Sequence, residues 1–251
     1  MDRLQQLANM IDHSLLHPTL ADSDLLAGCE LAKAYQTASV CIKPYAVSMA
    51  KEALEGSDLL TGTVIGFPHG NSPTTIKVAE AICVCKDGAD EVDMVINIGK
   101  ALGKDWGYVQ DDIAEVLAVV NEFDAVLKVI FENDFLPDDQ TKIRLCEICT
   151  ALGVHFVKTS TGYGMNKGED GRYGYLGATL SDLQLMRRHS GPDLQIKAAG
   201  GVRTLDDLLK VEAAGATRIG ATATASILME AQKRFGGTLP AFEQHENLPG
   251  Y

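Results

Sequence analysis

Two lysine residues stand in the same unusual setting and define the chemistry available to the chain. Lys158 follows the apolar run 154–157, Lys197 follows the apolar run 194–196, and each leads into a loop of small residues. An ammonium group without a partner is costly inside a protein, so a lysine at the end of a buried strand indicates an ion pair or a reactive amine. A neutral lysine amine can attack a carbonyl carbon and form a Schiff base.

Charged residues recur on the strands beside these lysines. In the strand 91–96 the even-numbered residues are all apolar and suit a face that packs on helices, which turns Asp93 to the opposite face. One inward lysine could be a structural ion pair, but inward charges on four successive strands are typical of a functional site. The residues predicted to share this interior are Asp12 at the end of the first strand, Cys41 on the second, and Asp93, Lys128, Lys158 and Lys197 on the fourth to seventh.

Two ammonium groups on adjacent strands repel each other. Adjacent strands lie about 4.8 Å apart, and a nitrogen separation of about 6 Å at an effective dielectric constant of about 20 lowers the pKa of one of the pair by about two. Partial desolvation lowers it further. We therefore interpret Lys158 and Lys197 as a nucleophile and its activator, in an order that these arguments leave open, and Asp93 as a carboxylate that moves protons.

Glycines after the last two strands indicate an anion site. Gly200 and Gly201 follow the seventh strand, and Gly220 and Thr222 precede the last helix. Backbone N–H groups and a helix N-terminus at these positions of a barrel commonly bind phosphate. The simpler alternative is that these glycines only form tight turns.

The order of elements predicts the fold. Short apolar strands alternate with amphipathic helices eight times within 251 residues, which favours a closed parallel barrel. No G-x-G-x-x-G motif follows the first strand, which argues against a dinucleotide-binding sheet. We predict one domain over residues 1–251, a single-domain (β/α)₈ TIM barrel with an extra N-terminal helix at 1–11, a long irregular loop at 165–177 and an irregular C-terminal tail at 236–251.

Composition limits the partners. A formal net charge of −12 is unfavourable for binding nucleic acid or an anionic membrane, and no apolar run is long enough to span a bilayer. The polar N-terminus lacks a signal-peptide core, and six scattered cysteines suit reduced thiols rather than a metal cluster. We expect a cytoplasmic protein.

The motifs that carry these residues resemble class I deoxyribose-phosphate aldolase, the Schiff-base family. They run in the family's order through most of the chain: SVCIKP (39–44), VIGFPHGN (64–71), ADEVDMVINIG (89–99), LKVIFE (127–132), FVKTSTG (156–162), KAAGGVRT (197–204) and RIGAT (218–222). The resemblance implies reversible cleavage of 2-deoxy-D-ribose 5-phosphate to acetaldehyde and glyceraldehyde 3-phosphate, without a cofactor or metal.

The resemblance also implies residue roles. Lys158 would be the Schiff-base lysine, Lys197 the second lysine that activates it, and Asp93 the proton relay through a water molecule. Asp12 and Cys41 would line the substrate pocket. We also assign Lys128 and Thr159 to substrate binding, together with the glycines and Thr222 of the anion site.

Two departures from the family pattern affect the substrate end. The insertion YGMNKGEDGRYGY (163–175) lengthens the loop after the Lys158 strand, and Thr222 and Ala223 stand where the family usually has paired serines. We predict weaker discrimination for phosphate, unless Lys167 or Arg172 in the insertion supplies a positive contact. Solvated loop charges are the simpler interpretation of both.

Several alternatives remain at this level. A sister Schiff-base aldolase or thiolase acting on another phosphorylated carbonyl compound would share the same lysines, and a catalytically silent sugar-phosphate-binding regulator would share the barrel. Tyr251, the last residue, could donate a proton to the active site as in some family members, or could be a frayed end. We expect a small phosphorylated sugar as the partner and leave a homo-oligomer open.

Overall fold

A computed structural model describes residues 2–168 and 170–239 of the chain. Its centre is a closed barrel of eight parallel strands, so the predicted (β/α)₈ barrel is confirmed. The barrel strands are β1 (Ile11–Leu15), β2 (Ser39–Ile42), β3 (Leu60–Ile65), β4 (Glu91–Val95), β5 (Val126–Ile130), β6 (Phe156–Lys158), β9 (Gln195–Ala199) and β10 (Arg218–Ala221). A separate antiparallel hairpin consists of β7 (Asn166–Lys167) and β8 (Tyr173–Gly174).

Helices surround the barrel and alternate with its strands. No helix among the described residues is long and apolar enough to cross a membrane. The helices are α1 (Arg3–Ala8), α2 (Asp22–Tyr35), α3 (Val47–Ala53), α4 (Thr74–Lys86), α5 (Ile98–Leu102), α6 (Trp106–Glu122), α7 (Asp139–Leu152), α8 (Leu180–His189), α9 (Leu205–Ala213) and α10 (Thr224–Phe235).

The strand register brings the charged positions together. Asp93 in β4 is paired with Lys128 in β5, and Lys158 in β6 is paired with Lys197 in β9. Val92 and Met94, on the other face of β4, are fully buried between the barrel and its helices. Because side chains alternate along a strand, an apolar outer face fixes which residues point inward.

Local signals explain where the helix before the Lys158 strand begins and ends. The carboxylate of Asp138 accepts a hydrogen bond from the N–H of Thr141 at 2.8 Å and caps the first turn of α7. Gly153 ends α7 in the left-handed conformation, with φ of 74°, which residues with a side chain adopt at a cost. The chain then turns directly into β6.

Several predicted boundaries are corrected. The N-terminal helix ends at Ala8 instead of residue 11, and Asp12 is the second residue of β1, not its last. The sequence reading missed the short helix α5. The segment 165–177 is not wholly irregular, because it contains the β7–β8 hairpin. Residues 236–239 of the predicted tail lie in no helix or strand, and 240–251, with Tyr251, lie outside the described residues.

Candidate active site

The centre of the site is one carboxylate oxygen shared by two lysines. Lys158 Nζ and Lys197 Nζ each donate to Oδ2 of Asp93 at 2.8 Å. All three side chains are almost completely inaccessible to solvent, with 3%, 1% and 0% exposure for Lys158, Lys197 and Asp93. The structure therefore brings together the three residues that strand alternation had placed in the barrel interior.

The two lysines do not have the same surroundings. Lys197 contacts a second carboxylate in addition to that of Asp93, because its Nζ lies 2.5 Å from Oδ2 of Asp12. Burial works against the charge of Lys197, but the carboxylates of Asp12 and Asp93 outweigh it and hold the pKa of Lys197 well above its usual value. Lys197 is thus a lasting cation, and the Asp93 carboxylate lies between the two amines.

The carboxylate of Asp12 connects Lys197 to further buried charges. Its Oδ1 accepts hydrogen bonds from Ser39 Oγ at 2.8 Å and from Arg218 Nη1, and its Oδ2 lies 3.0 Å from Lys128 Nζ. Burial alone would raise the pKa of Asp12, but Lys128, Lys197 and Arg218 hold it well below the usual range. Asp12 is therefore ionised and held from several sides.

The sequence reading gave no role to two members of this network. Glu91 accepts from Lys128 Nζ through Oε2 and from Arg218 Nη2 through Oε1, the latter at 3.1 Å. Alternation already put Glu91 on the same face as Asp93, and it places Arg218 on the face of Gly220, so the signal was available for both. Within the linked network, four cations (Lys128, Lys158, Lys197 and Arg218) face three carboxylates (Asp12, Glu91 and Asp93).

A cavity of about 330 Å³ opens beside the two catalytic candidates Lys158 and Lys197 and extends to the glycine-rich loops. The predicted site residues that line it are Asp12, Cys41, Lys158, Lys197, Gly200, Gly201, Gly220 and Thr222. Asp93 does not line it and reaches the cavity only through the lysines. Burial raises the pKa of the Cys41 thiol to about 11, so this cysteine presents a neutral group.

Comparison with known proteins shows the family. The protein-family sequence model described as DeoC/LacD family aldolase matches residues 7–230. The chain belongs to this family of aldolases.

Individual relatives agree with this assignment. A deoxyribose-phosphate aldolase from Rhodopirellula baltica is 51% identical over 237 residues, 94% of this chain and 93% of its own length. A solved structure of a protein from Coccidioides immitis has a TM-score of 0.84 and 33% identity, and the match covers 92% of this chain and 87% of that one. The deoxyribose phosphate aldolase from Aeropyrum pernix has a TM-score of 0.81 and 27% identity, with 92% and 93% covered.

Two residues that the sequence reading assigned to substrate binding lie elsewhere in this aldolase. Lys128 is fully buried, bonded to Asp12 and Glu91, and does not line the cavity. The Thr159 hydroxyl donates to the carbonyl of Ala199 and accepts from its N–H, both at 3.0 Å, so it ties β6 to β9. Alternation predicted that Lys128 points inward, but it carries no information on how far a side chain lies from the cavity.

The glycine-rich end of the cavity has a cation that was not predicted. Arg203, which follows Gly200 and Gly201, lines the cavity there. Lys167 and Arg172 do not line it and are exposed, with 89% of the Arg172 side chain accessible. This agrees with the interpretation of these two as solvated loop charges.

The inserted hairpin reaches the cavity through one aromatic residue. Tyr175, next to β8, lines the cavity, as does Tyr163, whose ring packs edge-on against Phe67 with centroids 5.6 Å apart. The carboxylate of Asp134 accepts hydrogen bonds from the N–H groups of Leu176 at 2.5 Å and of residue 177 at 3.0 Å. The insertion is therefore anchored, and it adds an aromatic wall to the substrate end.

Proposed function

We propose that this aldolase reversibly cleaves 2-deoxy-D-ribose 5-phosphate into acetaldehyde and D-glyceraldehyde 3-phosphate through a Schiff base on Lys158. The observation that carries the proposal is the shared Oδ2 of Asp93, which sits 2.8 Å from both lysine nitrogens beside the cavity. The names of the relatives support the choice of substrate. None of the relatives described above favours the sister thiolase.

The surroundings of the two lysines support Lys158 as the nucleophile. Lys197 contacts two carboxylates, Asp12 and Asp93, whereas Lys158 contacts only Asp93 among the ion pairs of the described residues. The network also holds one cation more than it holds carboxylates, so the loss of a proton from Lys158 leaves three charges of each sign. A neutral amine at Lys158 therefore costs less electrostatic free energy than one at Lys197.

The reaction follows from a neutral Lys158 amine. Its Nζ attacks the aldehyde carbon C1 of the open-chain sugar, and loss of water gives an iminium ion. Removal of the proton from the C3 hydroxyl breaks the bond between C2 and C3, releases glyceraldehyde 3-phosphate and leaves an enamine on Lys158. Protonation of C2 and hydrolysis then release acetaldehyde and restore the amine.

Asp93 and Lys197 contribute to this cycle from different positions. Lys197 lines the cavity, whereas Asp93 lies behind the lysines. Burial would raise the pKa of Asp93, but Lys158, Lys197 and Lys128 hold it well below its usual range. Because Asp93 Oδ2 accepts a hydrogen bond from the Lys158 amine, it is placed to relay a proton to and from Lys158, while Lys197 stays charged. Lys197, which lines the cavity, is the cation next to the forming iminium.

The phosphate is proposed to bind at the glycine-rich end. Gly200, Gly201, Gly220 and Thr222 line the cavity there and are the proposed source of backbone N–H and hydroxyl donors, and Arg203 adds a positive charge. This arrangement distributes the recognition of phosphate over backbone donors and one exposed arginine.

The test combines turnover with trapping. Purified enzyme is assayed with deoxyribose 5-phosphate and, separately, treated with acetaldehyde and borohydride before peptide mass spectrometry. We expect turnover and a two-carbon adduct on Lys158 alone. An adduct on Lys197 or Lys128, or trapping without turnover of the sugar phosphate, would contradict the assignment.

Location and oligomeric state are also proposed. Six free cysteines suit a reducing compartment, and we place the enzyme in the cytoplasm. The Aeropyrum pernix enzyme is described as tetrameric, and a homo-oligomer is our expectation for this chain, to be tested by light scattering. The role of Tyr251 stays a prediction.

A further inference from the structure

Four side chains, three of them buried and Arg218 partly exposed, form a closed ring of alternating charge inside the barrel. Going round the ring, Asp12 contacts Arg218, Arg218 contacts Glu91, Glu91 contacts Lys128, and Lys128 contacts Asp12. We call Asp12, Glu91, Lys128 and Arg218 the charge ring. They come from four different strands, β1, β4, β5 and β10, so the ring ties opposite sides of the barrel together.

Three members of the ring have no access to substrate. Glu91, Lys128 and Arg218 do not line the cavity, and only the arginine keeps some solvent contact, with 14% of its side chain exposed. The aromatic side chain of Phe156 packs beside both cations of the charge ring, with its centroid 5.7 Å from Lys128 Nζ and 5.8 Å from Arg218 Cζ. A buried ion cluster of this kind is seldom more stable than apolar residues of the same volume, so stability is a weak explanation for it.

Two contacts link the charge ring to the reacting groups, because Lys128 Nζ lies 3.6 Å from Oδ1 of Asp93 and Asp12 contacts Lys197. Asp12 is the ring member that also binds Lys197, at 2.5 Å, and Lys197 in turn shares Asp93 with Lys158. Arg218 and Lys128 fill the remaining positions of the Asp12 carboxylate, together with Ser39. The position and the charge of Asp12, and through it of Lys197, therefore depend on residues that substrate never touches.

We propose that Glu91 and Arg218 are positioning residues that set the pH range in which the Lys158 amine is reactive. This inference rests on the proposed function, because it takes Lys158 as the nucleophile. The two residues carry opposite charges in the same ring, and the loss of either changes the electrostatic potential at Lys158 in a predictable direction.

The sign of each change follows from Coulomb's law. Without the Arg218 cation the interior becomes more negative, Lys158 holds its proton more tightly, and activity begins at higher pH. Without the Glu91 charge the interior becomes more positive, and activity begins at lower pH. A unit charge acting across a buried site with an effective dielectric constant of about 20 moves the midpoint by on the order of one pH unit. Among the described residues, the other ionisable groups that surround this site are Asp12, His13, Cys41, Asp93, Lys128, Glu132, Tyr163, Tyr175, Lys197 and Arg203.

The experiment measures the pH dependence of kcat/KM with deoxyribose 5-phosphate for wild type, Arg218→Met, Glu91→Gln and the double variant. We expect the acid limb to move up by about one pH unit in Arg218→Met and down by about one in Glu91→Gln. The double variant removes one charge of each sign and should return the limb close to wild type. Arg218→Lys keeps the charge and should also stay close.

Controls separate this role from a structural one. Circular dichroism and thermal unfolding check that each variant folds. If Arg218→Met does not fold, Glu91→Gln, which keeps the size of the side chain, still tests the sign against Arg218→Lys. Rate losses in both variants without movement of the acid limb, or shifts in the same direction, would overturn the proposal.

Failure of the proposed function would look different. In that case wild-type protein would not turn over deoxyribose 5-phosphate. The pH dependence with which acetaldehyde and cyanoborohydride modify Lys158, followed by peptide mass spectrometry, would then report the same opposite shifts if the charge ring acts as proposed. Unchanged modification profiles in both variants would reject it.

Discussion

Two buried ion clusters of the described residues, one outside the barrel and one inside it, are built differently. Outside, Lys77 Nζ lies 2.6 Å from Oδ2 of Asp112 and donates to the carbonyl of Val95 at 2.9 Å, while Thr74 donates to Oδ1 of Asp112 at 2.8 Å. This cluster has one charge of each sign, and both carboxylate oxygens are bonded. Inside, the network around Asp93 has a surplus of one cation.

The difference shows how a buried charge becomes reactive. The Lys77–Asp112 pair has equal positive and negative charge, and it joins α4 to α6. In the barrel, the removal of one proton from the network brings positive and negative charges into balance. Burial is common to both, and the two clusters differ in the balance of charge among their ion pairs and in the cavity that Lys158 and Lys197 line.

The largest effect is expected at Lys158, the proposed nucleophile. Lys158→Ala should lower kcat/KM for deoxyribose 5-phosphate by on the order of 10⁴-fold or more, because no other amine replaces the nucleophile. Steady-state assays would measure this, with thermal unfolding as the check that the barrel remains folded. Activity within a factor of ten of wild type would show that another residue forms the Schiff base.

A smaller effect is expected at Lys197, which stays positively charged. Lys197→Met should reduce kcat/KM at pH 7 by about 10²- to 10³-fold, and the remaining rate should rise with pH. The raised pKa of Lys197 keeps it charged throughout the working range, so its removal leaves Lys158 with a more tightly held proton. A pH–rate profile measures this, and a loss of rate with an unmoved profile would contradict it.

An exposed charge should matter less than either buried lysine. Arg203→Ala should raise KM for deoxyribose 5-phosphate by about tenfold, because one charge-assisted hydrogen bond to phosphate is lost. KM for unphosphorylated deoxyribose should not change. Arg172→Ala is the matched control, since its side chain is 89% exposed and lies outside the cavity lining. Equal effects of the two variants would place the phosphate elsewhere.

The balanced cluster should affect stability and leave catalysis unchanged. Asp112→Ala leaves the buried Lys77 without a partner and should lower the free energy of unfolding by about 3–5 kcal/mol. In the folded protein kcat/KM and its acid limb should remain within twofold of wild type. Denaturant unfolding and a pH–rate profile measure the two quantities. A shifted acid limb would remove the distinction between the two clusters.

The barrel strands could be predicted from the sequence because inward and outward side chains alternate along each of them. Alternation along β4 turned Asp93 inward, and the same rule brought Lys158 and Lys197 beside it. Alternation does not give the distance of a side chain from the cavity. It therefore predicts substrate binding for Lys128, which lies in the charge ring instead. Alternation also does not give contact partners, so it placed Asp12 and Asp93 in the same interior as Lys197 without predicting the ion pairs between them.

The remaining misses have equally specific causes. Helix α5 spans five residues, too few for a helical period to be recognised, and its one signal is the side chain of Asn97, which accepts from the N–H of Lys100. The strands β7 and β8 have two residues each, so their alternation cannot be read. Arg203 belonged to a quoted motif, but nothing in its neighbours distinguishes a cavity-lining arginine from a solvated one.

The hairpin insertion has a consequence for how this family can diversify. Both of its ends meet at one residue, because Asn166 Nδ2 donates to the carbonyl of Asp134 and Leu176 N–H donates to its carboxylate. A segment whose ends already lie together can be lengthened, shortened or exchanged without moving the elements on either side. The insertion can therefore be exchanged as a unit. Such an exchange offers a way to change the preference for the acceptor aldehyde while the catalytic barrel stays the same.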